Sequence, residues 1–218
     1  MCKTSEDARL VEYVSKHLKL HPRIKRERKI SRTDIFEILF GNDEDAKHTA
    51  HEAFNRAYRR HYGEVHAFEG GELALLRELN EFDVTIGILT NREREFFEHE
   101  LAKLDDGAWC DLFAVTICGD DSTRRKPNPE PIYKALEVLK EPADLACWYL
   151  GDSSTDVIAA KRAGITSVLF NGAGWDHEWL EKIFPGTAEH PHKPDAIVDT
   201  FAEFRWLFEE CLSIGHDR

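Results

Sequence analysis

From Leu10 to about Tyr62 the apolar residues recur at spacings of three and four, the period of a helix face. Leu10, Val11, Val14 and Leu18 form one set, Ile35, Phe36, Leu39 and Phe40 a second, and Ala50, Ala53, Phe54, Ala57 and Tyr58 a third. The stretch predicts about three helices and no strand. Pro22 and Gly41-Asn42 punctuate them. Ser31 or Thr33 is suited to cap the second helix, because a hydroxyl accepts from the unpaired N–H groups of a first turn.

Beyond Gly63 the pattern changes. His66 to Gly71 reads as a loop and Glu72 to Leu79 as a helix. Val84-Thr85-Ile86-Gly87-Ile88-Leu89 is a short continuous apolar run, the signature of a buried strand, and it ends in Thr90-Asn91-Arg92. A helix through Phe96, Phe97 and Leu101 follows, then a strand from Leu112 to Cys118 stopped by Gly119-Asp120-Asp121. A polar loop through Lys126-Pro127-Asn128-Pro129 leads into the helix Ile132 to Leu139. Cys147 to Leu150 is the third strand, Val157 to Ala163 its helix, Ser167 to Phe170 the fourth strand, Asp195 to Val198 the fifth, and Phe201 to Leu212 a closing helix. Strands alternating with helices imply βαβ units, hence a parallel sheet with helices on both faces. The expected fold is α/β, with a small all-α domain over residues 1–66 and an α/β core domain over 67–218.

The net charge of −12 is unevenly distributed. Residues 1–62 carry 14 Lys+Arg against 10 Asp+Glu, a balance of +4, so the acidic excess lies in the remainder. The densest basic run, 23–29, reads as a solvated face, and the acidic remainder argues against a nucleic-acid partner. No stretch approaches 18 uninterrupted apolar residues and the first seven have no signal-peptide core, so no membrane partner is expected and a cytoplasmic location is the default. Five cysteines, odd in number and without a Cys-x-x-Cys pair, indicate neither a disulfide framework nor a zinc site and read as mostly buried thiols. His48 and His51 lack acidic or thiol partners at ligand spacing.

Three polar clusters stand at strand ends or in the loops beyond them. Thr90-Asn91 offers a hydroxyl and an amide, Lys126 a cation beside two prolines that stiffen its loop, and Gly151-Asp152-Ser153-Ser154-Thr155-Asp156 two carboxylates at the start of a helix. By itself the last cluster is also ordinary helix-start chemistry. As an ordered set the three supply what phosphoryl transfer needs: donors for phosphate oxygens, a cation for developing charge, and carboxylates for a hard divalent ion. Ligands of open α/β sheets bind at this strand edge.

With these motifs the chain resembles the haloacid dehalogenase superfamily, in particular its phosphoglycolate-phosphatase-like branch with a helical cap. Ile88-Leu89-Thr90-Asn91 matches the second motif of that family, Lys126-Pro127-Asn128-Pro129 the third, and Gly151 to Asp156 the fourth. Ala159 to Gly164 continues the fourth, and Phe68-Glu69-Gly70 resembles the hinge between cap and core. The resemblance implies a Rossmann-like core with residues 1–66 as cap, and a Mg²⁺-dependent phosphomonoesterase using an aspartyl-phosphate intermediate. It also implies a small phosphorylated metabolite such as phosphoglycolate as substrate, and a monomer or homodimer. Thr90 and Asn91 would bind phosphate, Lys126 would hold nucleophile and phosphate together, and Asp152 with Asp156 would serve the metal.

The family's first motif, an apolar strand ending in Asp-x-Asp-x-Thr, has no counterpart here, and Asp43-Glu44-Asp45 lies within the helical region without the trailing Thr. Either residues ahead of Met1 belong to the natural protein, or the chain is a non-catalytic, phosphometabolite-binding or regulatory relative. Loss of a central strand exposes its apolar neighbours, which favours the first reading, and as given the chain is expected to be inactive. Dehalogenase chemistry is disfavoured because that branch lacks the metal-binding acidic pair. No Gly-x-Gly-x-x-Gly marks a dinucleotide site. Trp175, Trp179 and Phe184 are expected to line a packed helix face rather than a substrate platform.

Overall fold

The computed structural model describes Phe36, 39–60, 65–68 and 70–216, with side chains described to Leu212. The first apolar set, the basic run 23–29, Pro22, Ser31, Thr33 and Glu69 lie outside the described residues. The chain divides into two compact units, Met1–Glu64 and Val65–Arg218.

In the first unit, helix α1 (Glu44–Arg59) starts where the Asp43 carboxylate accepts from Ala46 N–H at 2.9 Å. Asp43-Glu44-Asp45 thus begins a helix, with the charges of Glu44 and Asp45 at its positive end and those of Arg56 and Arg59 at its negative end. Ala46 and Ala50 present a smooth face on which Phe36 and Phe40 bury. His51 meets the Phe36 ring edge-on, 4.7 Å between centroids.

The second unit runs α2 (Glu72–Glu81), β1 (Gly87–Leu89), α3 (Arg94–Leu101), β2 (Val115–Ile117), α4 (Glu130–Leu139) and β3 (Trp148–Gly151), then α5 (Ser154–Ala163), β4 (Thr166–Phe170), α6 (His177–Ile183), β5 (Ala196–Val198) and α7 (Phe201–His216). All strand pairs are parallel. Period-two alternation sorts the side chains: on β4, Val168 and Phe170 join Leu75 and Leu79 of α2, Val198 of β5 and Phe204 of α7, whereas Leu169 joins Val157 of α5 and Phe184. On β3, Trp148 and Leu150 face the α2/α7 side while Tyr149, with Cys147 just ahead of the strand, faces Ala159, Ala160 and Ala163 of α5. Helices therefore cover both faces.

Four expectations are corrected. The single parallel sheet is in two pieces among the described residues, β1–β2 and β3–β4–β5, with no ladder joining β1 to β3. The first strand is accordingly shorter than 84–89, and β1 and β3, which border the break, are only half-buried or exposed, while β2 and β4 are mostly buried. Of the free cysteines described, Cys118 is buried, Cys147 half-buried, and Cys110 and Cys211 exposed, because the latter two fall on surface-facing positions. Of the aromatic group only Phe184 packs inside; Trp179 is 49% exposed and receives Lys182 over its ring at 5.9 Å.

Candidate active site

The loop after β1 is fixed by backbone before any side chain acts. Thr90 N–H donates to Ile117 O at 2.9 Å, continuing the β1–β2 ladder one residue past the strand. Gly119 N–H then donates to Arg92 O at 2.7 Å. A Cβ on Gly119 would lie 2.3 Å from Asn91 O, so this close approach of two backbones requires glycine. Inside the turn the Thr90 hydroxyl accepts from Arg92 N–H at 3.1 Å.

Asn91 reaches across to the loop after β2. Its Oδ1 accepts from Lys126 N–H at 3.0 Å and its Nδ2 donates to Lys126 O at 3.0 Å. This reciprocal pair locks the backbone of Lys126 to the end of β1, so Asn91 acts first as a clamp on the lysine. The Lys126 ammonium is 2.9 Å from Leu89 O, 2.6 Å from Tyr149 OH and 2.7 Å from Asp156 Oδ1. It also sits 5.3 Å from the centre of the Tyr149 ring. Tyr149 OH lies 3.2 Å from Leu89 O, so these side chains span the break between the two sheets.

Asp156 closes the network. Its Oδ1 takes Lys126, and its Oδ2 takes Ser153 N–H at 3.1 Å and Ser153 Oγ at 2.6 Å, a capping box at the start of α5. A Cβ on Gly151 would fall 2.3 Å from Asp156 Cβ, which is why the strand must end in glycine. Asp152, beside it, is exposed. Crowding by surrounding protein, then the nearby Asp156 charge, raise its carboxyl above the usual range, with Lys126 pulling the other way. Burial, then Asp156, push the Tyr149 phenol well above its ordinary value, so it stays protonated.

The structure thus brings Asn91, Lys126 and Asp156 into direct contact and sets Asp152 close enough to feel both charges. Thr90 shares the loop, and its hydroxyl is turned toward Arg92. Sequence reasoning missed Tyr149, whose signal was its alternate position on β3, facing the α5 side. It also missed Arg94, which holds the end of β2: its guanidinium pairs with Asp121 and donates to Thr116 O at 3.1 Å, while Asp121 accepts from Cys118 N–H at 2.7 Å. Burial raises the Cys118 thiol to about 11, leaving it inert.

For Mg²⁺ the donor set is short. Both oxygens of Asp156 already accept from protein donors, whereas Asp152 is exposed. No group of three or more His, Cys, Asp or Glu among the described residues is placed to hold a metal. Asp152 is therefore the carboxylate among the described site residues that is open to a hard divalent ion. No helix among the described residues is long and apolar enough to cross a membrane.

A family model described as haloacid dehalogenase-like hydrolase matches residues 9–170. The phosphoglycolate phosphatase of Salmonella choleraesuis is 33% identical over 151 residues, covering 67% of this chain and 54% of that protein. The pyrophosphatase PpaX of Bacillus cereus is 27% identical over 172 residues, covering 78% of this chain and 71% of its own. The chain thus spans about half the length of the first of these. Among solved structures, a Bacteroides fragilis protein aligns with a TM-score of 0.67 at 22% identity, covering 89% of this chain and 88% of its own. A HAD hydrolase of Entamoeba histolytica aligns at 0.61 and 20%, covering 83% and 77%. At such identities these likenesses speak to the fold alone.

Proposed function

Because the chain belongs to the haloacid dehalogenase-like hydrolases, we propose that it is the phosphate-binding part of a phosphomonoesterase acting on a small phosphorylated metabolite such as phosphoglycolate. The observation that carries this reading is the clamp of Asn91 on Lys126, which holds a buried cation against the ends of β1 and β3, with Thr90 next to Asn91 in the chain. A fixed cation with adjacent hydroxyl and amide donors suits a phosphoryl group, whose charge is spread over three oxygens. In this reading residues 1–66 are the cap and 67–218 the core, with a parallel sheet that a further strand would make continuous between β1 and β3.

Lys126 supplies charge, Thr90 turns its hydroxyl from Arg92 toward a phosphate oxygen, and Asn91 retains one N–H beyond the one given to Lys126. Asp152 is the residue we assign to Mg²⁺, which commonly uses one or two carboxylates together with substrate phosphates. When bound, the ion would neutralise phosphate charge; Asp156 serves by orienting Lys126. The Asp-x-Asp-x-Thr motif that supplies the nucleophile in the family is absent from these residues, so the chain as given binds without turnover.

The test is isothermal titration of the 218-residue chain with inorganic phosphate, with and without Mg²⁺, followed by a phosphoester panel on a form extended upstream in its natural reading frame. Phosphate binding by the former and Mg²⁺-dependent turnover by the latter are expected, both lowered by Asp152→Asn in the presence of Mg²⁺. A folded extended form that binds phosphate but turns over nothing would instead support a non-catalytic phosphometabolite-binding protein. No phosphate binding by either form refutes the assignment.

A further inference from the structure

A lysine ammonium has three hydrogens and accepts none. At Lys126 three protein oxygens lie in reach of them: Leu89 O at 2.9 Å, Tyr149 OH at 2.6 Å and Asp156 Oδ1 at 2.7 Å. The ammonium is saturated, and its side chain is 8% exposed. An anion can gain a hydrogen bond from it only when one of the three gives way.

The three acceptors differ in what they lose. Asp156 is a buried charge, and removing its cation would leave it uncompensated. Leu89 O is a carbonyl that only accepts. Tyr149 OH both donates and accepts, and its oxygen lies 3.2 Å from Leu89 O and 3.4 Å from Asp156 Oδ1. Deprived of the ammonium hydrogen, it keeps a partner by donating to Leu89 O.

Resting on the reading of Lys126 as the phosphate-binding cation, we infer that Tyr149 is a positioning residue that holds the third hydrogen of Lys126 and yields it to an incoming phosphate oxygen. Its hydroxyl thereby sets the affinity of the site. The exchange breaks one hydrogen bond, Lys126 to Tyr149, and forms one, Lys126 to the anion, with no proton transferred.

Tyr149→Phe removes the oxygen and keeps the ring that lies beside the ammonium. Titrated with inorganic phosphate, the full chain carrying Tyr149→Phe is expected to bind roughly three- to tenfold more tightly than the unaltered chain, the equivalent of one net hydrogen bond. A merely structural tyrosine predicts unchanged or weaker binding, and either result in a folded variant overturns the inference. In the unaltered chain, phosphate is expected to shift the NMR resonances of the Lys126 ammonium nitrogen and the Tyr149 Cζ together. A Lys126 shift with Tyr149 unmoved overturns it independently of any variant. The Lys126→Met/Asp156→Asn double variant, which removes both charges of the pair, tells the two readings apart. Phosphate binding that survives in it, or is absent from the unaltered chain, sinks the phosphate reading along with this one. Binding lost there while Tyr149→Phe behaves like the unaltered chain sinks only the role of Tyr149.

Discussion

Lys126 and Asp156, 30 positions apart in the chain, meet as an ion pair of 2.7 Å with both side chains 8% exposed. The pair ties the loop after β2 to the first turn of α5 across the break between the sheets. Taking one partner away leaves an uncompensated buried charge, whereas taking both leaves two neutral groups of similar size.

Asp156→Asn is therefore expected to lower the unfolding free energy by about 3 kcal/mol or more, and Lys126→Met by a similar amount. The double variant should lose clearly less than the two single losses added together. Urea denaturation of all four proteins provides the cycle, and simple additivity would contradict a buried, coupled pair.

Gly119→Ala is expected to destabilise the chain by about 1–3 kcal/mol, because the new Cβ meets the Asn91 carbonyl, which belongs to backbone and has no rotamer to escape into. Since the same contact sets the Thr90-Asn91 turn, phosphate binding should weaken with it. Thermal unfolding and titration with inorganic phosphate check both, and a neutral effect would show that the two backbones are farther apart.

Asn91→Ala breaks both hydrogen bonds to the Lys126 backbone and should cost about 1–3 kcal/mol in chemical denaturation. Because the buried cation is then no longer held in place, the loss in phosphate affinity should exceed that of a substitution at exposed Arg124. Equal affinities for the two variants would mean that the clamp does not orient Lys126.

Burial alone would raise the Asp121 carboxyl, but the hydrogen bond from Arg94 and the Cys118 N–H outweigh it and the net shift is downward. A depressed folded value makes the unfolded chain the better proton binder in the acid range. The stability from Asp121 is thus complete above the unfolded value of 3.8 and is lost as pH falls through the lower folded value. Asp121→Asn should lose stability at pH 7 and show a shallower decline of the urea midpoint in that acid window. An identical pH profile for the two proteins would refute the role of Arg94–Asp121.

Local pattern reaches as far as local physics does. Continuous apolar runs placed all five strands of the second unit, and Ser153 with Asp156 read as a helix start because a capping box is written within four residues. The strand ends bearing Thr90 and Asp152, and the loop beyond β2 that bears Lys126, followed from the same pattern, since a parallel sheet gathers such ends at one edge. The family was legible in those motifs as well, and the family model agrees.

What the sequence by itself determined is the order of elements, the βα alternation and the residue types that gather at the strand ends, because each is set by neighbours a few positions away. Only the tertiary structure decided that the strands form two sheets, that Asn91 binds the backbone of Lys126, that Asp156 is closed by Lys126 and Ser153, and that Tyr149 bridges the break. Most of these contacts join positions 30 to 60 apart, where hydrogen-bond satisfaction in a buried setting selects the partner and no periodicity records the choice. The carboxylate pair that looked equivalent along the chain is divided by packing into a buried anchor and an exposed, raised-pKa group.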